Sequence, residues 1–379
     1  MTTGRVRCWV LRPWFQRPIE IIMKPVLLAL AILSPFAARA QAPSSVTVYG
    51  LLDVGAVFER GCDGCSNTKL SSGVAYPSRL GVRGSEALGD GNSAIFALEA
   101  GVQADTGRSD QNGTLFGRQA YVGLDSRFGA LTLGRQYNPQ YLALIDVADP
   151  FRGGTAGSAG NLAGYTVKRY NNAVQYASPK LHGLSASAIY SFGETVYSSA
   201  ANRAYGATLG YADGPVTLSL SHQRKNNFLE ASATVPAVDN SAQNTLLAAN
   251  FNFGSGTAYA AYGHNKGEGS SPWDASNPYG ALVLSTPSTD SRDVLMGVAV
   301  PYGAATFMAS FIRKDDRDLA NRDADQFAIG ISYALSKRTD FYAAYAKIRN
   351  KNGAVYTVGN ASEPGSSDRA LNVGLWHSF

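Results

Sequence analysis

The strongest constraint on the fold is an alternation of apolar and polar residues that recurs along most of the chain. In residues 216–221, Val and Leu side chains alternate with Thr and Ser side chains. The same two-residue period is found in 247–253, 294–300, 326–333 and 371–379. Because successive side chains of a β-strand point to opposite faces, each such segment has one apolar and one polar face.

Short and long connections take turns between these segments. Tight turn sequences occur at 89–91, 127–129, 180–183, 213–215, 254–256, 302–303 and 336–338. Longer polar segments occur at about 60–73, 105–114, 138–167, 193–202, 226–241, 267–290, 315–322 and 350–367. Alternation alone also fits a soluble β-sandwich, but this asymmetry of connections is typical of a transmembrane barrel. The pattern predicts an all-β fold, a sixteen-stranded antiparallel β-barrel whose first and last strands pair to close it.

The N-terminal region has the pattern of an export signal. Lys24 precedes an almost wholly apolar stretch at 25–37, and Ala38-Arg39-Ala40 supplies a small-x-small cleavage pattern. The apolar stretch is shorter than the roughly 20 residues that a membrane-spanning helix needs. We therefore expect residues 1–40 to be a signal-peptide region, with the true start at Met23 and cleavage after Ala40.

Residues 41–379, expected to form a single barrel domain, carry no net charge. Residues 1–40 hold six of the 33 Lys and Arg residues and one of the 28 Asp and Glu residues, which leaves 27 of each sign. The apparent basicity of the chain thus belongs to the part expected to be removed. We therefore expect no nucleic-acid partner, because the argument for nucleic-acid binding would depend on a positive net charge.

Two of the three cysteines, Cys62 and Cys65, lie in a Cys-Asp-Gly-Cys sequence within a Gly- and Ser-rich segment. An even pair in an exported protein predicts a small loop disulfide. A redox motif would need a helix N-terminus, and a zinc site would need a second pair of ligands nearby. We predict neither a metal nor a cofactor.

Several motifs resemble the general porins of Gram-negative outer membranes, especially the beta-proteobacterial group. They are 45–53 (SVTVYGLLD), 78–89 (SRLGVRGSEALG), 116–124 (FGRQAYVGL), 131–136 (LTLGRQ), 333–339 (YALSKRT) and 372–379 (NVGLWHSF). The resemblance implies an outer-membrane homotrimer, surrounded by lipid, through whose pores small hydrophilic solutes and ions diffuse passively. It further implies that Phe379 is presented to the barrel-assembly machinery. Trp376 and Ser378 stand where basic residues are common in the family, so local contacts there should differ.

The resemblance also implies that the third external loop folds into the lumen and narrows the pore. That loop corresponds to 138–167, a long segment without an obvious pattern, which is often a functional feature. Asp146 and Asp149 fall near the acidic residues of the family's loop, and we expect them to face the constriction. The alternative for both is a solvated loop face or a turn cap.

The opposing wall of the pore should be basic. Arg79 and Arg83 are four residues apart and therefore share one face of a strand, and Arg135 lies on a later strand. Arg79, Arg118 and Arg169 match the family's basic cluster. Each could instead form a structural salt bridge. Three positive groups against two negative ones predict a mild anion preference.

Other functions find little support in the sequence. There is no G-x-S-x-G elbow, no phosphate-binding glycine loop and no H-E-x-x-H motif, so we expect no enzyme activity. A substrate-specific channel is the main alternative, and Tyr141 and Phe151 are its candidate aromatic contacts. A surface adhesin with a barrel fold is the third possibility, although the external loops are only moderately long.

Overall fold

Antiparallel strands make up most of the part of the protein that the structure describes. A computed structural model describes residues 44–62, 65–196, 198–229, 238–239, 241–270 and 288–379, without the side chains at 62, 65, 228, 229, 238 and 239. In this part of the chain sixteen long strands follow one another, and each pairs with the next. The strands are β1 Ser45–Cys62, β2 in two parts at Cys65–Ser72 and Arg79–Gly89, β3 Asn92–Gln103, β4 Gln119–Ser126, β5 Gly129–Tyr137, β6 Arg169–Ala177, β7 Leu184–Ser191, β8 Ala204–Asp213, β9 Val216–Lys225, β10 Ala242–Asn252, β11 Thr257–Gly267, β12 Asp290–Tyr302, β13 Ala305–Asp316, β14 Ala324–Ser336, β15 Thr339–Asn350 and β16 Arg369–Ser378.

The barrel closes between its first and last strands. β1 pairs with β16 in a continuous register that runs from Leu51 opposite Ser378 to Arg60 opposite Arg369. Closure leaves no strand edge in contact with lipid, where unpaired backbone groups would be costly. The sixteen-stranded antiparallel barrel expected from the sequence is thus confirmed.

The alternation of side chains separates a polar interior from an apolar exterior. On β9, Ser219 and Ser221 are buried inside the barrel, whereas Leu218 and Leu220 are exposed on its outer face. On β10, Asn244 is buried inside the barrel, whereas Leu247 is exposed on the outer face. An apolar outer band around a polar lumen is the arrangement that a membrane barrel requires.

All seven expected short turns connect strands at one end of the barrel, which we call the turn end. The long connections lie at the opposite end, the loop end. The segments 226–241 and 267–290 lie only partly within the described residues. Among the described residues, no helix is both long and apolar enough to cross a membrane.

The prediction of a loop at 60–73 is wrong. Most of the segment at 60–73 is a hairpin of β1 and β2, with residues 54–59 opposite residues 67–72 in regular register. The Ser, Asn, Thr and Lys residues of this segment are residue types typical of loops, but here they belong to a paired strand. The chain leaves the sheet later, at 73–78, where Gly73 has a φ of +69°, a conformation that glycine adopts without steric cost.

Residues 138–168, the inward loop, connect β5 to β6 and enter the barrel, as expected of the third long connection. The loop begins with the short helix α1 Pro139–Leu142, which continues into a π-helical turn at Ala143–Ala148. The Asn138 side chain caps α1 by accepting a hydrogen bond of 3.0 Å from the Gln140 backbone N–H.

The main hydrophobic core lies inside the lumen. Leu144, Leu162 and Tyr165 of the inward loop are completely buried in one cluster with Leu295 of β12 and Ile312 of β13. Apolar contact therefore attaches the loop to the far wall of the barrel. The free space of the lumen is displaced towards β1–β6.

Candidate functional site

The described part of the protein contains a large cavity, with a volume of about 1740 Å³. It reaches from Arg108 and Glu363, in connections at the loop end, to Arg83 and Ser378, in the turn-end halves of β2 and β16. One side is the wall of β1–β6 and the other is the inward loop. The cavity thus follows the barrel axis through the apolar band.

The charges around this cavity are unequal. Eight cationic side chains line it: Arg79, Arg83, Arg108, Arg118, Arg135, Arg152, Lys168 and Arg169. Four acidic side chains do so: Glu99, Asp110, Asp146 and Glu363. All five arginines selected from the sequence are in the first group, and we call these five the arginine wall.

Glu99 on β3 organises the centre of the arginine wall. It accepts a hydrogen bond of 2.7 Å from Arg118 Nε and one of 2.9 Å from the Tyr49 hydroxyl. Arg79 Nε lies 3.8 Å from the same carboxylate. Sequence reasoning missed Glu99, although a lone acid on the inward face of an otherwise apolar strand was a usable signal.

Tyr137, the last residue of β5, joins two of the arginines. Its hydroxyl accepts hydrogen bonds of 2.6 Å from Arg118 and of 2.6 Å from Arg169. The guanidinium carbon of Arg169 also lies 4.4 Å from the centre of the ring, within the range of a cation–π contact. One side chain therefore fixes the separation of two positive charges.

The remaining arginines of the wall are held separately. The Arg83 guanidinium is exposed and lies 5.2 Å from the ring centre of Tyr49. Arg135 donates a hydrogen bond of 2.8 Å to the backbone oxygen of Gly117 and another to the Asn171 side chain. Arg135 thus combines the lumen-facing position expected from the sequence with a structural role.

The two aspartates selected in the inward loop have different environments. Asp146 lines the cavity, and its carboxylate lies 3.4 Å from Arg152 in a largely exposed pair. Asp149 does not face the cavity and is completely buried. Its carboxylate accepts backbone hydrogen bonds of 2.8–2.9 Å from Phe151, Gly153 and Ala159. The expectation of a lumen-facing Asp149 is corrected, because its oxygens are needed to fold the loop.

Burial and hydrogen bonding act against each other on Asp149. Burial disfavours the ionised carboxylate and raises its pKa to about 6. The three backbone N–H groups favour the ionised form and limit this increase. Tyr141, another buried residue of the loop, has a raised pKa for the same principal reason, burial.

Buried polar contacts hold the inward loop on the far wall. Asp293 of β12 accepts a hydrogen bond of 2.6 Å from the Gly164 backbone N–H and pairs with the buried Lys314 Nζ at 2.8 Å. Gln326 of β14 accepts one of 2.9 Å from the Asn161 side chain. None of these wall residues lines the cavity, yet together they set the position of its loop side.

The candidate aromatic contacts of a specific channel are not both available. Tyr141 lines the cavity and stacks on Tyr137 with ring centres 6.4 Å apart, but little of its surface is exposed. Phe151 packs in the lumen core. The described residues contain no cluster of His, Cys, Asp or Glu suited to a metal ion.

A closed barrel with an apolar outer band and a charged cavity along its axis defines a transmembrane channel. The sequence matches the family of Gram-negative porins over residues 27–353. An outer membrane porin protein of Bordetella pertussis is 32% identical over 382 residues, which cover 86% of this chain and 94% of that protein. Outer membrane porin protein 32 of Delftia acidovorans is 29% identical over 376 residues, which cover 94% of this chain and 100% of that protein.

Solved structures agree with this assignment. An anion-selective porin from Comamonas acidovorans superposes with a TM-score of 0.72 at 25% identity, covering 89% of this chain and 100% of that one. The chain therefore belongs to the Gram-negative porin family. It is a non-enzymatic outer-membrane channel for the passive diffusion of small hydrophilic solutes.

Proposed function

We propose that the pore is narrowest between the arginine wall and the Asp146 side of the inward loop, and that it mildly prefers anions. The observation that supports this most directly is the excess of cationic over acidic side chains around the cavity, eight against four. Charges in a confined channel bordered by low-dielectric protein act more strongly than the same charges in open water. The arginines keep their charge at any physiological pH.

The test is the zero-current potential of refolded protein, residues 41–379, in a planar bilayer under a tenfold gradient of KCl. An anion-preferring pore gives a potential of the sign set by chloride diffusion. A potential of the opposite sign would overturn the proposed preference while leaving the channel itself intact. A saturable block by one solute class at low concentration would instead favour the substrate-specific alternative.

A homotrimer is part of the same proposal, and strand length supports it. β4 and β7 have eight residues each, whereas β12 and β14 have thirteen. A membrane-spanning strand needs about 9–11 residues, so the wall around β4–β7 is short for a lipid-facing surface. Such a mismatch favours oligomerisation. Chemical cross-linking of the refolded protein should give trimers.

Export and assembly complete the proposal. Residues 1–40, including the expected start at Met23, lie outside the described residues, and so do the side chains of Cys62 and Cys65. The export signal and the disulfide are therefore inferred from the sequence alone. Phe379 exchanges backbone hydrogen bonds of 3.0 and 3.1 Å with Gly50, which places the terminal residue at the closing seam. This position suits recognition by the barrel-assembly machinery before closure.

A further inference from the structure

An excursion of β2 into the lumen carries an aromatic side chain. The six residues 73–78 interrupt the pairing of β2 and lie opposite only two residues of β1, 52 and 53. Extra residues of this kind re-aim side chains, and they are frequent beside functional sites. Here the excursion directs Tyr76 towards the cavity, which this side chain lines.

A buried carboxylate fixes this excursion. Asp53 of β1 is completely buried, and it accepts hydrogen bonds of 2.8 Å from the Ala75 backbone N–H and of 2.6 Å from the Tyr76 backbone N–H. The Tyr342 hydroxyl donates a third hydrogen bond, of 2.6 Å, to the other carboxylate oxygen. The backbone at Tyr76 is therefore held in place, and a ligand that packs on its ring does not have to order a mobile loop.

Trp376 of β16 forms an aromatic pair with this tyrosine. Trp376 lies opposite Asp53 in the closing register, and its neighbours Leu375 and His377 are exposed on the outer face, so the indole points into the lumen. The ring centres of Tyr76 and Trp376 are 5.6 Å apart, and their planes meet at 79°, an edge-to-face arrangement. Both side chains are only partly buried and both line the cavity. We call these two residues the aromatic pair.

Two cations that line the same cavity act on the aromatic pair. Arg79 begins the second part of β2 and Arg152 lies near the tip of the inward loop, and both interact electrostatically with Tyr76. Arg79 Nε lies 3.8 Å from Glu99, which is too far for a hydrogen bond. The Arg152 side chain is 60% exposed, in a 3.4 Å pair with Asp146. Since a guanidinium has five N–H donors, both arginines can still bind an anion.

The acids near the aromatic pair do not occupy its cavity side. Besides the buried Asp53, Asp340 of β15 acts electrostatically on the pair. Asp340 lies opposite Trp376 and accepts a hydrogen bond of 2.9 Å from Ser332. Neither carboxylate lines the cavity. Their charges repel an anion, so an anion beside the aromatic pair should lie towards Arg79.

We propose that the aromatic pair, Arg79 and Arg152 form a weak binding site for aromatic carboxylates inside the pore. The flat ring of such a ligand packs on the aromatic pair, and its carboxylate accepts hydrogen bonds from the guanidinium groups, whose parallel N–H donors match carboxylate oxygens. The inference rests on the proposed function for the path of solutes between the arginine wall and the inward loop. A ligand of this size gains only a modest free energy, so we expect half-maximal binding on the order of 1–10 mM.

The test measures the current through single refolded channels in dilute symmetric KCl as benzoate is added to both sides. A bound ligand obstructs the ions, so the current should fall and then saturate. Cyclohexanecarboxylate is the matched control ligand, with the same charge and the same number of carbon atoms but no aromatic ring. Its half-maximal concentration should be about two- to tenfold higher, because contacts between aromatic rings contribute beyond the area that they bury. Equal concentrations for the two ligands, or no effect of benzoate, would overturn the proposal.

Two pairs of variants assign the effect to this site. Trp376→Phe and Trp376→Leu both shorten the side chain, but only the first keeps an aromatic ring. The Leu substitution should raise the half-maximal concentration of benzoate about two- to tenfold above that of the Phe substitution. Arg152→Gln should raise it about two- to fivefold. Arg108→Gln, which removes a cavity-lining cation at the loop end, should change it less than about twofold. Equal effects within either pair would contradict a site at these residues.

The zero-current potential in KCl alone separates this inference from the proposed function. Chloride preference without a block by benzoate would remove the aromatic site and leave the proposed pore. Potassium preference would contradict the proposed pore, and the comparison of the two Trp376 variants would still decide for or against the aromatic site.

Discussion

Glu99 is the residue whose charge most directly offsets the arginine wall, because it contacts both Arg118 and Arg79. Replacing it by Gln retains an acceptor for the Tyr49 hydroxyl but removes one negative charge from the lumen. We expect the permeability ratio of chloride to potassium to rise by about twofold or more, since charges in the pore are poorly screened. The measurement is the zero-current potential in a KCl gradient.

A matched control separates this local effect from a general change in charge. Glu86 on β2 is exposed on the outer face, so Glu86→Gln makes the same chemical change away from the cavity. It should leave the permeability ratio unaltered. If both variants shifted the potential equally, the selectivity would depend on surface charge and Glu99 would have no special part in it.

Protonation of Asp149 should make the stability of the folded protein depend on pH. Its folded-state pKa of about 6 is higher than the ordinary value for an unfolded chain, near 4. The folded state therefore holds this proton more tightly, and its contribution to stability is present below about pH 4 and lost as the pH rises to about 6. The loss is on the order of 3 kcal/mol.

The variant Asp149→Asn should lack that component of the pH dependence. It should also be less stable by roughly 1–3 kcal/mol, because an amide NH₂ would face backbone N–H donors. The measurement is unfolding in guanidinium from pH 4 to pH 7, taken as the difference between the two proteins, since other carboxyl groups titrate in both. If the free energies of unfolding of the two proteins changed in parallel with pH, Asp149 would not titrate in this range.

These residues also show what sequence can and cannot determine about the site. Arg79 and Arg83 were assigned to the lumen because a strand has a fixed period, and both line the cavity. Asp149 lies in a loop without a period, so its direction depended on backbone N–H groups that only the folded loop supplies. Acidic character alone did not distinguish it from Asp146.

At the scale of elements, the inward loop is held by the wall as much as by its own contacts. The buried pair of Lys314 and Asp293 connects β13 and β12 to the backbone of Gly164. Breaking a buried ion pair leaves one uncompensated charge. We therefore expect Lys314→Met to destabilise the protein by about 3–5 kcal/mol and to increase current noise as the loop moves.

A second substitution distinguishes loss of the pair from loss of side-chain packing. Replacing both partners, with Lys314→Met and Asp293→Leu, should recover most of the stability, because a buried pair can often be exchanged for apolar residues of similar size. It should not restore a quiet current, since the Gly164 N–H would still lack its acceptor. Recovery of both properties would show that Asp293 has no role in positioning the loop.

The order of strands and connections was largely predictable from the sequence, and the one wrong connection has a simple cause. Turn-end connections were correct because tight turns have strong local signals in Gly and Asp. The hairpin at 60–73 was taken for a loop because polar residues on a strand near the loop end need not alternate with apolar ones. Beyond the apolar band there is no lipid to select for an apolar face.

On the scale of the whole molecule, positive and negative charges are equal in number but unevenly distributed. Residues 41–379 have equal numbers of basic and acidic residues, yet the cavity has an excess of four cations. Net charge therefore carried no information about the pore. The asymmetry arises because the inward loop fills the far side of the lumen and leaves the free space against the arginine wall.

This spatial asymmetry predicts how selectivity depends on ionic strength. The screening length is about 10 Å at 0.1 M salt and about 3 Å at 1 M, so the fields of wall arginines extend across the cavity only in dilute solution. We expect the chloride-to-potassium permeability ratio to fall towards that of free diffusion as mean KCl rises at a fixed tenfold gradient. A permeability ratio that did not change with KCl concentration would contradict this. It would mean that anions contact the arginines directly, so that the arginine wall acts as a binding site that bulk salt does not screen.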